Sequence, residues 1–215
     1  MSKTNNGSDI YSKILFMKNL LLTLLTLTTF TSFSQKVLRD SIYIKTDIFE
    51  VVYSEVLEQP KFVKYIVKCS NGTASRTGMD FYTCDSIKTS DNKDYEKNNF
   101  DKGHLAPGAD FNCDKQTLLK TFTYLNCSLQ QENLNRTTWR LLEVRERELA
   151  KTHKIVQVGI RCIFGKNSIK LPSGATIPTA YRKTIKYDGK TEIYYFKNEK
   201  PLSTDFTKYK VKTPR

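Results

Sequence analysis

One strong helical segment, residues 133–150, constrains the fold of this chain of 215 residues more than any other feature. It reads NLNRTTWRLLEVRERELA, which is rich in good helix formers and in oppositely charged neighbours at helical spacing. Asn135 is the candidate N-cap, because its amide can accept a hydrogen bond from a free backbone N–H of the first turn. Runs typical of β-strands precede and follow this helix.

These runs alternate β-branched or aromatic residues with polar ones. The predicted strands are residues 41–46, 49–53, 61–69, 154–160, 179–187 and 191–197. The turn signal Asp188-Gly189 makes the last two strands a hairpin. A short helix is predicted over residues 114–122, and a long polar loop over residues 73–99. The order of strands, helices and strands predicts an α+β fold with an antiparallel sheet core.

The N-terminal region has the pattern of a secretory signal peptide. An apolar, threonine-rich run, residues 20–33, follows two lysines, and small residues stand at positions −3 and −1 relative to Gln35. The alternative, a membrane anchor, needs about 20 apolar residues, so cleavage after Ser34 is favoured. We therefore predict an N-terminal extension with a signal peptide in residues 1–34. Residues 35–215 then form one secreted or periplasmic domain with no stable membrane association after cleavage.

The chain is strongly basic, with a formal net charge of +13 at pH 7. Such a surplus favours a polyanionic partner: nucleic acid, anionic lipid or acidic polysaccharide. The other explanation of the charge is solubility alone. Because the basic residues are spread along the chain, a basic groove or face is a better prediction than a basic tail.

Five cysteines lie in the predicted mature domain, at positions 69, 84, 113, 127 and 162. Export permits disulfides, and an odd count leaves at least one thiol unpaired. The sequence leaves the pairing open. A zinc site is not favoured because no C-x-x-C pair occurs, and no cysteine has the helix or histidine context of a nucleophile.

One of the two histidines, His104, lies in the polar segment of residues 98–111, NNFDKGHLAPGADF. An imidazole is suited to take a proton from water near neutral pH, and here Asp101 and Lys102 precede it. The alternative is a surface turn that contains a histidine by chance. The second histidine, His153, is predicted to be a structural residue at the end of the main helix.

Two oxygen-bearing side chains on the predicted helix could supply a metal partner for His104. Asn135 and Glu143 are eight residues apart, about two turns, and so project from roughly the same side. Amide and carboxylate oxygens suit Mg²⁺, which keeps several waters and shares its shell with substrate phosphate. The structural alternatives are that Asn135 only caps the helix and that Glu143 only pairs with Arg140 or Arg147.

Three motifs occur together: FDKGHLAP at residues 100–107, YLNxxxQ at 124–130 and LNRxxWxxLE at 134–143. In combination they resemble the DNA/RNA non-specific endonuclease family of the ββα-metal (His-Me finger) nucleases. The likeness extends upstream to residues 52–65 and downstream to residues 177–183. It implies an α+β fold that contains a ββα-metal active-site motif, and a nuclease that uses Mg²⁺, with Mn²⁺ as a substitute.

Carried over by position, the resemblance implies that His104 is the general base and Asn135 the direct metal ligand. Glu143 would orient metal-bound water, and Asn126 would hold or orient the catalytic centre. The resemblance also implies that three cationic residues bind substrate phosphate, and that the first of them stabilises the phosphate charge during catalysis. These residues are Arg76, Lys102 and Arg136.

Two positions depart from the family pattern. Lys102 stands where the family box has arginine, so the charge is kept but the bidentate fork is lost, and reduced activity would follow. The segment LNCSLQ, residues 125–130, lacks the proline of the family loop, which makes the role of Asn126 less defined than that of His104.

The prediction is a secreted, sugar-non-specific endonuclease that grips the backbone of DNA and/or RNA and leaves 5′-phosphates. A first alternative is a secreted basic nucleic-acid-binding protein with a weakened or lost nuclease site. A second is a sugar or lipid phosphodiesterase on the same scaffold. The preference between DNA and RNA and the oligomeric state stay open.

Overall fold

The structure, a computed structural model, describes residues 37–212, so the predicted signal peptide and its cleavage point lie outside the described residues. A seven-stranded, wholly antiparallel sheet has the strand order β1-β2-β3-β6-β7-β8-β9. Its strands are β1 (Ile42–Lys45), β2 (Phe49–Ser54), β3 (Gln59–Ile66), β6 (Gln157–Ile163), β7 (Ala180–Tyr187), β8 (Lys190–Lys197) and β9 (Lys210–Val211). The α+β prediction with an antiparallel core is confirmed.

Successive side chains of each strand point to opposite faces of this sheet, so one face is buried and the other is partly exposed. In β3, Val63 and Tyr65 are buried, whereas Phe62 and Lys64 lie on the opposite face and remain partly exposed. The predicted β7–β8 hairpin forms across Asp188 and Gly189, both of which have positive φ. The buried face of the sheet is therefore the one available for helix packing.

A separate two-stranded ribbon pairs β4 (Phe100–His104) with β5 (Cys127–Gln131), and His104 lies opposite Cys127. Strand periodicity predicted no strand in either segment, and the alternative of a surface turn at His104 is wrong. The strands are short, and β4 carries Asp101 and Lys102 in succession, so neither shows the apolar alternation of a half-buried strand. Consequently His104 is held at the end of a strand.

The main helix, α2, begins with Glu132–Leu134, passes through a π-helical turn at Asn135–Trp139 and continues as Arg140–Thr152. The helix is confirmed, but its predicted cap is wrong. The Gln131 side chain caps the helix by accepting a hydrogen bond from the backbone N–H of Leu134 at 2.9 Å. Asn135 has helical backbone angles, which leaves its side chain available for another purpose. A shorter helix, α1, spans Lys115–Leu119.

Helix α2 packs on the buried face of the sheet through an aromatic contact and a buried ion pair. The ring of Trp139 meets the rings of Tyr181 and Phe196 at centroid distances of 5.4 and 5.7 Å. The Lys183 Nζ donates to Glu146 Oε1 at 2.7 Å, and both side chains are fully buried. Within residues 37–212, no helix has the length and apolar character needed to cross a bilayer.

At its C-terminal end, α2 is followed by His153. Its Nδ1 lies 2.6 Å from Asp188 Oδ2, and its ring contacts Tyr187 at 4.7 Å. As predicted, His153 is a structural residue that ties the helix end to the β7–β8 hairpin.

One disulfide joins Cys69, just beyond β3, to Cys113, and the other three cysteines are free. Beside the bridge, the backbone N–H of Ala74 donates to the carbonyl of Asn112 at 2.9 Å. Bridge and hydrogen bond together tie the loop after β3 to the segment that follows His104. This linkage fixes the base of the loop that carries Arg76.

We predict that Lys183→Met destabilises the protein by about 3–5 kcal/mol, because it leaves the Glu146 carboxylate buried without its cation. The matched control is Lys61→Met, which removes a lysine whose partner, Asp40, is 60% exposed. That change should cost about 0–1 kcal/mol. Urea unfolding of the three proteins measures both effects, and equal losses in the two variants would contradict the interpretation.

Candidate active site

A cleft of about 680 Å³ opens between the end of β4, the start of α2 and the loop that follows β3. Six of the seven predicted site residues line it: Arg76, Lys102, His104, Asn135, Arg136 and Glu143. Asn126 does not line it. Residues up to 67 positions apart in the sequence are thus brought to one concave surface.

The His104 imidazole lies between aromatic rings, with Phe81 at 4.6 Å and Phe122 at 4.7 Å between centroids. Its Nε2 is buried and has no hydrogen-bond partner among the residues that the structure describes. Burial, with a further contribution from the Arg76 charge, lowers the pKa of His104 to about 3. The imidazole is therefore neutral near pH 7 and has a lone pair available to accept a proton.

Asn126 lies beneath the cleft and acts on the backbone that follows His104. Its Oδ1 accepts from the Ala106 N–H at 2.8 Å, and its Nδ2 donates to the carbonyls of Ala106 and Thr121 at 2.8 and 3.0 Å. The N–H of Leu105 donates to the Asn126 carbonyl at 2.9 Å. Three of these bonds fix the chain as it leaves the imidazole, and the fourth ties Asn126 to Thr121, so the contribution of Asn126 is to position His104.

Asp101 connects the two elements that carry the site. Its Oδ2 accepts a hydrogen bond from Asn135 Nδ2 at 2.9 Å, and its carboxylate accepts two more from the Arg136 guanidinium at 3.0 and 2.6 Å. Because the amide nitrogen of Asn135 is occupied, its Oδ1 is the atom left to act as a ligand in the cleft. Sequence reasoning did not assign this role to Asp101.

Glu143 lies further along α2 and lines the same cleft. Regular helix turns by about 100° per residue, which would leave Asn135 and Glu143 about 80° apart. The wider π-helical turn between them rotates less per residue and reduces this offset. Burial raises the pKa of Glu143 to about 7, while the charge of Lys183 opposes the rise. The carboxyl is therefore poised between its two protonation states near neutral pH.

Two of the three predicted phosphate-binding cations are already in ion pairs. The Lys102 Nζ donates to Asp80 at 2.7 Å, and the Arg136 guanidinium is held by Asp101. Arg76 has no ion pair with any residue between 37 and 212, and it lies in a tight turn closed by a hydrogen bond from the Met79 N–H to its carbonyl. Arg76 is thus the cation most available to a phosphate.

Arg140 and Arg147 also line the cleft and were not assigned to it from the sequence. The Arg147 guanidinium donates to the buried Asp110 carboxylate at 2.8 Å. Together with Arg136 and Glu143 they follow a spacing of three or four residues along α2. That helical spacing is the signal that could have placed them on one face.

The donor set of the cleft suits a hard cation. The described residues contain no group of three or more His, Cys, Asp or Glu that could hold a metal ion. Asn135 instead offers one oriented amide oxygen, and Glu143 offers a nearby carboxyl without a close cationic partner among the described ion pairs. A single protein ligand fits Mg²⁺, which usually keeps several waters and completes its shell with substrate phosphate.

Comparison with known proteins identifies relatives of this arrangement. Residues 29–213 match the family described as DNA/RNA non-specific endonuclease. Mitochondrial endonuclease G of Bos taurus is 29% identical over 128 residues, which cover 53% of this chain and 43% of that protein. The Homo sapiens protein of the same name is 28% identical over the same lengths. The matched region thus spans less than half of the curated relatives.

A chain in the crystal structure of the EndoG/EndoGI complex, described as showing the mechanism of EndoG inhibition, superposes with a TM-score of 0.69. It is 23% identical in sequence, and the alignment covers 79% of this chain and 80% of that one. At this level of identity the match shows a shared fold.

We predict that His104 contributes to folding stability in a pH-dependent way. The native imidazole has a pKa of about 3, whereas in the unfolded chain it binds a proton below about 6.5. Stability is therefore present above about pH 6.5 and is lost as the pH falls, by at most about 1.4 kcal/mol per unit. His104→Gln should remove this slope, and urea unfolding between about pH 6.5 and 4 measures it.

Glu143 has the opposite effect on the pH dependence of folding stability, over an overlapping pH range, and serves as the control. Its native pKa is about 7 against a usual value of 4.5, so the native state binds the proton first and stability falls as pH rises through that interval. Glu143→Gln should tilt the profile in the direction opposite to His104→Gln. Identical profiles for the parent and His104→Gln would show that His104 is not held neutral.

Proposed function

The chain belongs to the DNA/RNA non-specific endonuclease family, and we propose from this membership that it is a metal-dependent nuclease that hydrolyses phosphodiester bonds in DNA and/or RNA. The observation that carries the proposal is the convergence of a neutral, partly buried His104 and the oriented amide of Asn135 on one cleft. Neither residue alone supports hydrolysis, but a proton acceptor beside a hard oxygen ligand does.

In the proposed mechanism, His104 accepts a proton from the attacking water while the water oxygen bonds to phosphorus. The bond from phosphorus to the 3′ oxygen breaks, and that oxygen takes a proton from water, which leaves a 3′-hydroxyl and a 5′-phosphate. Arg76 stabilises the negative charge on the phosphate, and Glu143 orients water within the cleft. When held by Asn135, Mg²⁺ would polarise the phosphate and stabilise the departing oxygen, and Mn²⁺ would substitute for it.

We propose that cleavage is largely independent of sequence and of the sugar. The cleft is lined by guanidinium and ammonium groups, which can bind the phosphate oxygens that DNA and RNA present at every nucleotide. Binding of such a substrate weakens steeply with salt.

The proposed location is outside the cytoplasm, secreted or periplasmic. The N-terminal sequence pattern supports this, and the disulfide between Cys69 and Cys113 is typical of an oxidising compartment.

One observation favours the alternative of a nucleic-acid-binding protein with a weakened site. Lys102 stands at the arginine position of the family box, and its ammonium is held by Asp80 at 2.7 Å. Lysine lacks the planar fork that binds phosphate through two parallel hydrogen bonds, and its partner competes with substrate. This arrangement predicts slower or weaker turnover more directly than it predicts a complete loss of activity.

We expect His104→Ala to reduce the hydrolysis of plasmid DNA and of RNA by about 10²–10⁴-fold, because the proton acceptor is removed. His153→Ala is the matched control, since that histidine lies at the helix end outside the cleft. EDTA should abolish the parent's activity and Mg²⁺ should restore it. Retention of DNA on a gel without Mg²⁺-dependent nicking by the parent would instead favour the binding protein.

We expect Lys102→Arg to lower KM for polymeric DNA by severalfold, because a guanidinium can bind Asp80 and a phosphate oxygen at once. Lys102→Met should raise KM by about tenfold, since a charged hydrogen bond to phosphate is lost. Steady-state kinetics on the same DNA measure both changes. If the two variants behave alike, Lys102 does not contact the substrate.

A further inference from the structure

The sheet has a second exposed surface, which we call the outer face, on the side away from α2. It consists of the outward side chains of β3 and β6–β8, which enclose a shallow depression with a volume of about 430 Å³. The residues that line it are Phe62, Lys64, Gln157, Gly159, Arg161, Arg182, Thr184, Lys186, Thr191 and Ile193. Strand alternation places it opposite Tyr65 and Lys183, which contact α2.

Four cations of this lining face outward without enough carboxylates to balance them. Lys64 pairs with Glu50 at 2.9 Å. Within residues 37–212, no salt bridge is formed by Arg161, Arg182 or Lys186. The outer face thus presents three unbalanced positive charges on two adjacent strands.

The two arginines lie directly opposite each other in the β6–β7 register. Like charges in directly opposed positions destabilise a sheet. Neither arginine lines the cleft on the other side of the sheet. The pair therefore makes no evident contribution to folding stability or to the candidate active site. A ligand that carries negative charge would remove the repulsion.

Aromatic rings continue the same row on both sides of the arginines. The Arg161 guanidinium lies 5.7 Å from the ring centroid of Phe62, its partner on β3. Tyr195, the partner of Arg182 on β8, is 41% exposed. The row of four side chains crosses four strands, a span of about 14 Å at the usual strand spacing. Cationic groups beside exposed aromatic rings are the features with which proteins hold single-stranded nucleic acid.

We propose that the outer face is a second polynucleotide-binding surface, separate from the cleft, that takes the phosphate backbone of a single strand between Arg161 and Arg182. The rings of Phe62 and Tyr195 flank the backbone and stack with bases. A second copy of this chain is a poorer occupant, because a two-fold interface would set these unbalanced cations against themselves. The surface requires no hydrolysis, so the inference stands independently of the proposed nuclease activity.

The test compares the parent with the double variant Arg161→Gln/Arg182→Gln, by fluorescence anisotropy of a labelled single-stranded oligonucleotide in EDTA at several salt concentrations. The control, Lys166→Gln/Lys170→Gln, removes the same charge from exposed lysines in the loop after β6. We expect the face variant to bind about tenfold more weakly, with a salt slope reduced by about 1.4, whereas the control changes less than about twofold.

Four further measurements complete the test. Thermal unfolding should show that the face variant is at least as stable as the parent, because it removes a repulsive pair. Its kcat on a short oligonucleotide with Mg²⁺ should equal the parent's. A parent that cleaves neither the oligonucleotide nor plasmid DNA would count against the proposed function alone. Binding to anionic vesicles tests a lipid surface as the occupant, and sedimentation tests a second copy of this chain.

The inference is overturned if both double variants weaken oligonucleotide binding equally. It is also overturned if the face variant loses only vesicle binding, or only dissociates a dimer, while oligonucleotide binding is unchanged.

Discussion

The carboxylate of Asp101 is the interaction on which the geometry of the site depends. It belongs to β4, which also carries Lys102 and His104, and it accepts hydrogen bonds from Asn135 and Arg136 at the start of α2. A strand that positions the base is thereby joined to a helix that positions the amide ligand. Because the bond occupies the amide nitrogen, it also decides which end of the Asn135 side chain faces the cleft.

Behind this contact lies a cluster of buried charges that the fold stabilises by pairing. Lys183 donates to one oxygen of Glu146, and the hydroxyl of Tyr65 donates to the other at 2.6 Å. The ammonium also lies 4.0 Å from the centroid of the Trp139 ring. Such a cluster costs much in desolvation, and it tolerates the loss of one member poorly. It also holds α2 on the sheet in the orientation that directs Glu143 toward the cleft.

Sequence patterns predicted the elements with strong periodicity and missed those whose position depends on tertiary contacts. The main helix and the β7–β8 hairpin follow from propensity and turn chemistry, so the α+β fold could be inferred. The β4–β5 ribbon does not follow from strand periodicity, because its polar strands are stabilised by pairing and by burial under neighbouring segments, and only the family resemblance implied a ββα motif. The π-helical turn and the real cap at Gln131 likewise depend on packing, which propensity does not encode.

The sequence motifs predicted which residues form the candidate site but not how those residues contact one another. Six of the seven predicted residues line one cleft, but the motifs did not show that Asn126 acts on the backbone beneath it. Nor could they show that Asp80 and Asp101 hold two of the cations, because Asp80 lies 22 residues before its partner. Charge pairing across such a separation appears only once the chain is folded.

The most direct test of the account is the Mg²⁺ dependence of DNA hydrolysis by Asp101→Ala, with Arg136→Ala as the control that removes the other partner of the carboxylate. If Asp101 orients the Asn135 amide, the half-saturating Mg²⁺ concentration should rise by about 10–100-fold, while the rate at saturating Mg²⁺ stays near the parent's. Arg136→Ala should shift the concentration far less. An unchanged Mg²⁺ requirement in Asp101→Ala, with or without a lower rate, would contradict the central role of this hydrogen bond.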